Sequence, residues 1–170
     1  MTSLVALSIS IGVLGAVATW LALGPLSAVY QVWIGFIAWA TFFATGGNNA
    51  ALKTTIVSGI WGAICAWVAL LIIATVPVEG LGIVWPAIVV GVTVIVLCLG
   101  AHVEALANIP AGVYGYAATA GLTLLSNKLN VESLAAVGPD NPLVVAVISI
   151  IVGAVFGLLS GKLAGMLGKG

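Results

Sequence analysis

Long apolar stretches alternate along the chain with short breaks made of Gly, Pro, Asn and the few charged residues. Those breaks punctuate helices because they disrupt the backbone ladder or must reach water. The pattern marks six segments: Leu4 to Leu23, Tyr30 to Thr45, Leu52 to Val76, Ile83 to Glu104, Pro110 to Leu125 and Leu143 to Leu163. A helix needs roughly 20 apolar residues to cross about 30 Å of hydrocarbon. Four of the segments meet that length, and the second and fifth are short. Pro86 and Pro110 stand near helix starts, where a missing N–H costs nothing, and Asn108 is placed to cap the fifth segment. Ser126 to Pro142 is the one connection long enough to have structure of its own. Its spacing predicts a short interfacial helix and then a Gly138-Pro139-Asp140 turn.

The expected fold is therefore an all-α integral membrane protein of six transmembrane helices in one polytopic domain. Composition strengthens this. Of the 170 residues, 63% are hydrophobic and 5% charged, against about 25% charged in a soluble domain. No water-soluble fold hides so much apolar surface. No positive stretch precedes Leu4, and Gly24-Pro25 is no signal-peptidase site, so the first segment reads as a mature span.

Basic residues near span ends are retained on the cytoplasmic side. With six spans, Lys53, Lys162 and Lys169 share the side of both termini and Lys128 lies opposite, which predicts cytoplasmic termini. Tyr30, Trp33 and Trp85 fall near span ends on the far side, as an aromatic belt would.

The third and sixth segments share a pattern. Ser58, Gly62 and Ala63 correspond to Ser149, Gly153 and Ala154 at matching offsets, with Gly35 to Ala44 and Gly112 to Gly121 preceding them. Three spans per half is an odd number, so two such copies, residues 1–78 and 79–170, would form an inverted repeat. Chance matching in a small apolar alphabet is the alternative. Gly153, Gly157, Gly161 and Gly165 recur every fourth residue and form a stripe for close helix packing, inside the protomer or between subunits. Ser8, Gly12 and Ala16 make a weaker stripe on the first segment. Six short spans make a thin wall, which predicts a homo-oligomer.

Polar residues are expensive in hydrocarbon, so each is a candidate site. Thr45-Gly46-Gly47-Asn48-Asn49 offers a free backbone and two amides suited to a small polar solute. The plainer reading is a cytoplasmic turn with an Asn capping the next helix. His102 and Glu104 would form a polar or proton relay, although residues two apart on a helix do not face one another. An interfacial pair reaching water is the alternative. Of the aromatics Trp39, Phe42, Phe43, Trp61, Trp67, Tyr114 and Tyr116, most are expected to pack. Trp39, Phe43 and Tyr116 are the choices for a path, with Ser58 and Ser149 as matched hydroxyls. Tyr114 and Tyr116 point to different sides of one helix. No charged residue falls at the middle of a span, which favours uncoupled passage over pumping.

Catalysis finds no footing. One His and two separated cysteines, Cys65 and Cys98, give no nucleophile–base set and no metal-ligand spacing, so no metal, cofactor or enzymatic activity is expected. Near-zero net charge without a basic face excludes a nucleic-acid partner. The lipid bilayer, a small polar solute and further copies of the chain are the expected partners.

Gly35-Phe36 through Phe43-Ala44, Gly46-Gly47, and Pro110-Ala111-Gly112 through Ala117-Ala118-Thr119 resemble the pattern of a family of small bacterial inner-membrane proteins, domain of unknown function 1097. The resemblance covers most of the chain. It implies a bacterial plasma-membrane location and a compact multi-span fold, and no substrate. Ala120-Gly121 stands where the family pattern has Phe-Ala, a departure that leaves an aromatic gate there unsupported. The function expected from sequence is a channel or facilitator for a small polar solute. A non-transporting membrane scaffold acting through helix packing is the alternative.

Overall fold

A computed structural model describes residues 1–168. The elements are α1 (Ser3–Leu23), α2 (Val32–Ala44), α3 (Asn49–Thr75), α4 (Val84–Leu99), α5 (Ile109–Leu125), α6 (Val131–Ala135) and α7 (Pro142–Leu167). Two short 3-10 turns, Gly100–His102 and Glu104–Leu106, join α4 to α5. Among the described residues there is no strand. Four helical stretches are long and apolar enough to cross a membrane: Ser3–Leu23, Asn49–Thr75, Val84–His102 and Pro142–Leu167. Helices α2 and α5 are shorter and also apolar. This marks the chain as an all-helical membrane protein. Lys169, one of the residues used for orientation, lies outside the described residues.

Helix starts follow the capping chemistry of the sequence. Asn48 Oδ1 accepts from the Ala51 amide at 2.9 Å, Asn108 Oδ1 from Ala111 at 3.1 Å and Asn130 Oδ1 from Ser133 at 2.8 Å. Each supplies an acceptor to an N–H that has no partner within its helix. Chain reversals use positive φ at Gly46, Gly47 and Gly138, a conformation that a Cβ disfavours. The long connection is built as its spacing predicts. Helix α6 is followed by a turn closed by the Asn141 amide on the Gly138 carbonyl at 3.1 Å. Trp67 Nε1 donates to the Leu134 carbonyl at 2.8 Å, and the Asn141 side chain donates to the same carbonyl at 3.0 Å. These bonds tie α6 down onto α3 and α7.

The packing is reciprocal. Helix α2 lies on α7 and α5 lies on α3, while α3 and α7 touch each other at the centre. Helix α1 flanks α7 and α4 flanks α3. The outward faces of α1 and α4 are strongly apolar, with Leu4, Val13 and Trp20 on one and Ile88, Val92 and Ile95 on the other exposed. That pattern suits contact with lipid tails.

Glycine permits the two closest crossings. A Cβ on Gly62 would overlap the Gly112 backbone, and one on Gly153 would overlap the Gly35 backbone. Gly115 meets Gly59 in the same manner. Lipid removes the hydrophobic drive between helices, so backbone approach of this kind carries much of the association. Around the centre the core is small and apolar: Ile34, Ala38, Ala63, Ala118, Ala146 and Ile150.

Candidate functional site

The four helices α2, α3, α5 and α7 meet along a seam. At its middle is a cleft of only ≈ 10 Å³, lined by Ile34, Ala38 and Thr41 of α2, Thr55 and Gly59 of α3, and Ala111, Tyr114 and Ala118 of α5, with Ile150 of α7 opposite. That is about the room of one water molecule. The wall is almost wholly apolar, relieved by the hydroxyl-bearing side chains Thr41, Thr55 and Tyr114. Thr41 Oγ1 donates to the Ile37 carbonyl at 2.7 Å, and Thr55 Oγ1 lies 3.3 Å from Thr45 Oγ1.

Two wider, more polar clefts open on opposite ends of the helix bundle. One, of ≈ 320 Å³, is lined by Ala50, Lys53, Thr54, Glu104 and Ala105, where α3 begins. The other, of ≈ 90 Å³, has Gln31, Ser126 and Lys128 in its wall, close to where α7 begins. Each contains one lysine. Lys128 is engaged there: its Nζ donates to the Asp140 carbonyl at 2.9 Å and stands 3.8 Å from the Asp140 carboxylate.

The connections next to these clefts fold back along the long helices. The Gln31 amide, at the entry to α2, donates to Ser149 Oγ at 2.9 Å. Ser149 lies seven residues into α7, ~10 Å along its axis. Ser58 Oγ donates to the Ala105 carbonyl at 3.5 Å. Ser58 lies nine residues into α3, ~13 Å along. The two serines thus each hold a connection, one before α2 and one before α5.

The residues singled out from sequence are distributed differently from a single path. Thr45 ends α2, and its hydroxyl touches Thr55, which lines the central cleft. Asn48 caps α3 and Asn49 is exposed at the first helical position. Ser58 and Ser149 are buried in the loop contacts just described. Trp39 is a packing anchor, stacked on Phe36 (5.8 Å) and tilted against Phe156 (5.7 Å), with Nε1 donating to Ser160 Oγ at 2.9 Å. Ser160 in turn binds α1, since Ser10 Oγ donates to its carbonyl at 2.7 Å. Phe43 packs edge-on against Phe42. The Tyr116 hydroxyl shares a hydrogen bond of 2.9 Å with Thr93 on α4, turned away from the central cleft. Tyr114 faces the cleft instead.

His102 and Glu104 are both exposed and belong to separate 3-10 turns, with Val103 extended between them. Glu104 shares its cleft with Lys53 and not with His102. Of the glycine stripe, Gly153 and Gly157 are packed inside the protomer, the second against the Phe42 ring, which leaves no room for a Cβ. Around Gly165 there is open space, and Gly161 has only a distant Phe43 neighbour. Among the described residues no three His, Cys, Asp or Glu side chains are grouped to hold a metal ion, and Cys65 and Cys98 are free thiols.

Sequence reasoning did not single out Ile34, Thr41, Thr55 or Ile150. Thr and Ile are ordinary in apolar helices, and only the crossing of four helices sets these apart. A weak signal existed in the spacing of Thr41, Thr45 and Thr55 around the Gly46-Gly47 turn.

No match to the chain was found among curated proteins or among solved structures. A family model described as protein of unknown function, DUF1097, matches residues 8–165. The chain belongs to the DUF1097 family.

Proposed function

We propose that the protein is a facilitator for a small, uncharged or weakly polar solute in a bacterial plasma membrane, working without an energy-coupling ion and without catalysis. The observation that carries this reading is the arrangement of the seam: one narrow cleft at the centre, with a wider cleft holding a lysine at each end of the bundle. Hydroxyls in an apolar constriction favour a neutral solute, because an ion would lose its hydration shell with nothing to replace it.

In this reading α2 and α5 complete six crossings, and the chain is two inverted halves, 1–78 and 79–170. The reciprocal packing supports it: exchanging α1 with α4, α2 with α5 and α3 with α7 turns each major helix contact into another that is present. The glycines follow the same exchange, since Gly62 on Gly112 becomes Gly153 on Gly35. The short helix of each half thus lies on the long helix of the other. Halves locked in this way resist rocking past one another, which favours channel-like passage over alternating access. Lys53 and Lys162 near one end, and the turn holding Lys128 at the other, support cytoplasmic termini.

The small size of the central cleft favours a second reading, a membrane scaffold that moves nothing. Purified protein in liposomes, tested by flux against small amides, amines, carboxylates and neutral metabolites, separates the two. Faster entry of a small neutral solute than into empty liposomes supports the facilitator. Flux of none of them by folded protein supports the scaffold.

A further inference from the structure

We infer that the cleft between the start of α3 and the turn after α4 binds the headgroup of a zwitterionic phospholipid, phosphatidylethanolamine, with Lys53 on its phosphate and Glu104 on its ammonium. The site rests on the membrane fold and not on solute passage, although a headgroup there lies at one mouth of the seam. Opposite charges that share a cleft without joining are the first observation. Lys53, Thr54 and Glu104 line its ≈ 320 Å³ together with Ala50 and Ala105. Lys128 with Asp140 is the one ion pair among the described residues, so Lys53 and Glu104 stand too far apart to neutralise each other. Thr54 is already engaged, its hydroxyl donating to the Ala50 carbonyl at 3.1 Å. The two charges are what the wall offers a ligand.

The second observation is that their backbones are held in place. Glu104 begins a 3-10 turn that packs on α3, and Ser58 Oγ donates to the carbonyl of Ala105 beside it. Lys53 belongs to the long helix α3, whose start is fixed by the Asn48 cap. One cationic and one anionic arm therefore project from elements in direct contact. At the other end of the bundle the arrangement is closed, because Asp140 takes up Lys128 through both its carbonyl and its carboxylate.

The third observation selects a lipid over a soluble zwitterion. Val92, Ile95 and Leu99, three and four residues apart on α4, are 55%, 60% and 57% exposed and lie along one face. That apolar strip ends just before the turn that carries Glu104. It gives acyl chains a track below a headgroup in the cleft, and a soluble zwitterion has no use for it. Headgroup chemistry then decides among lipids. Ethanolamine offers N–H groups to the carboxylate while its phosphate accepts from the lysine, and charge-assisted hydrogen bonds form on both sides. Phosphatidylglycerol brings the phosphate alone and meets Glu104 as a like charge. Choline has a cation without an N–H.

The test is native mass spectrometry of the full chain with phosphatidylethanolamine, phosphatidylglycerol or phosphatidylcholine of identical acyl chains, read as the fraction of protein carrying lipid. Phosphatidylethanolamine is expected to bind several-fold more than either of the others. Lys53→Gln should lower binding of both phosphatidylethanolamine and phosphatidylglycerol. Glu104→Gln should lower the first several-fold and raise the second, a crossing that misfolding does not produce. Glu132→Gln, exposed on α6, should change neither. Equal binding of the three lipids, or an unchanged preference in Glu104→Gln, overturns the inference. Free glycerophosphoethanolamine, which lacks the tails, should not displace the lipid at matched concentration; displacement assigns the cleft to a soluble zwitterion and also overturns it. Headgroup preference without solute flux leaves this site standing and removes the facilitator, and flux without headgroup preference does the reverse.

Discussion

Gly62 of α3 rests directly on the backbone of Gly112 of α5, with no room for even a methyl group between them. Gly153 and Gly35 repeat the relation between α7 and α2. The strain of adding a Cβ falls on two backbones that cannot shift independently. Gly62→Ala and Gly153→Ala should each destabilise the protein by about 1–3 kcal/mol. Gly165→Ala, where a Cβ meets open space, should be neutral or stabilising by up to about 1 kcal/mol. Unfolding in mixed micelles measures all three, and equal stability of the three variants would contradict the close crossings.

The Trp39 indole, bonded to Ser160, joins α2 to α7, and the Ser160 carbonyl carries the bond onward to Ser10 of α1. Ser160→Ala leaves the buried N–H unpaired and should cost about 1–2 kcal/mol. Trp39→Phe in the same background isolates the pair. A double-mutant cycle should give a coupling of about 1 kcal/mol, and no coupling would place the indole bond elsewhere.

Asn48 and Asn49 separate capping from solute binding. Asn48→Ala removes the α3 cap and should cost about 1 kcal/mol. Asn49→Ala, at an exposed position, should stay within about 0.5 kcal/mol of the parent. Neither side chain lines the central cleft, so the double variant should keep any solute flux of the parent once its stability is allowed for. Loss of solute affinity with the fold intact would restore the amides as a binding site.

Much of the helix order was legible in the chain because apolar runs and breakers act locally. Asn108 caps α5 and the Ser126 to Pro142 connection folds into a short helix and turn, both as read from spacing. The end of the fourth segment was less legible. Regular helix stops at Leu99, and His102 and Glu104 lie on tight 3-10 turns that no hydropathy pattern distinguishes from α-helix. The candidate path was the least legible part. Tyr114 and Tyr116 differ by two residues and by nothing in chemistry, and it is Leu97, Cys65 and Thr93 around Tyr116 that turn that ring inward toward α4. Which face of α5 meets the seam depends on four helices crossing, and pairwise spacing within one helix carries no information about that.

Ile34 and Ile150 are 0% and 3% exposed and are the buried branched aliphatic side chains at the central cleft. They narrow it where α2 and α7 meet. Ile150→Ala should raise the rate of solute entry several-fold, with a stability cost of about 2–4 kcal/mol from the cavity. Slower or unchanged entry in a folded variant would mean that these side chains do not set the constriction.

In the proposed facilitator, solute passes through the seam. Thr55 lines it and is buried at 1% exposure, so a thiol there is a direct reporter. Thr55→Cys, in protein lacking Cys65 and Cys98, should react with methyl methanethiosulfonate in liposomes and lose most of its flux of a small neutral solute, with recovery on reduction. Full flux after complete modification of that thiol would contradict passage through the seam.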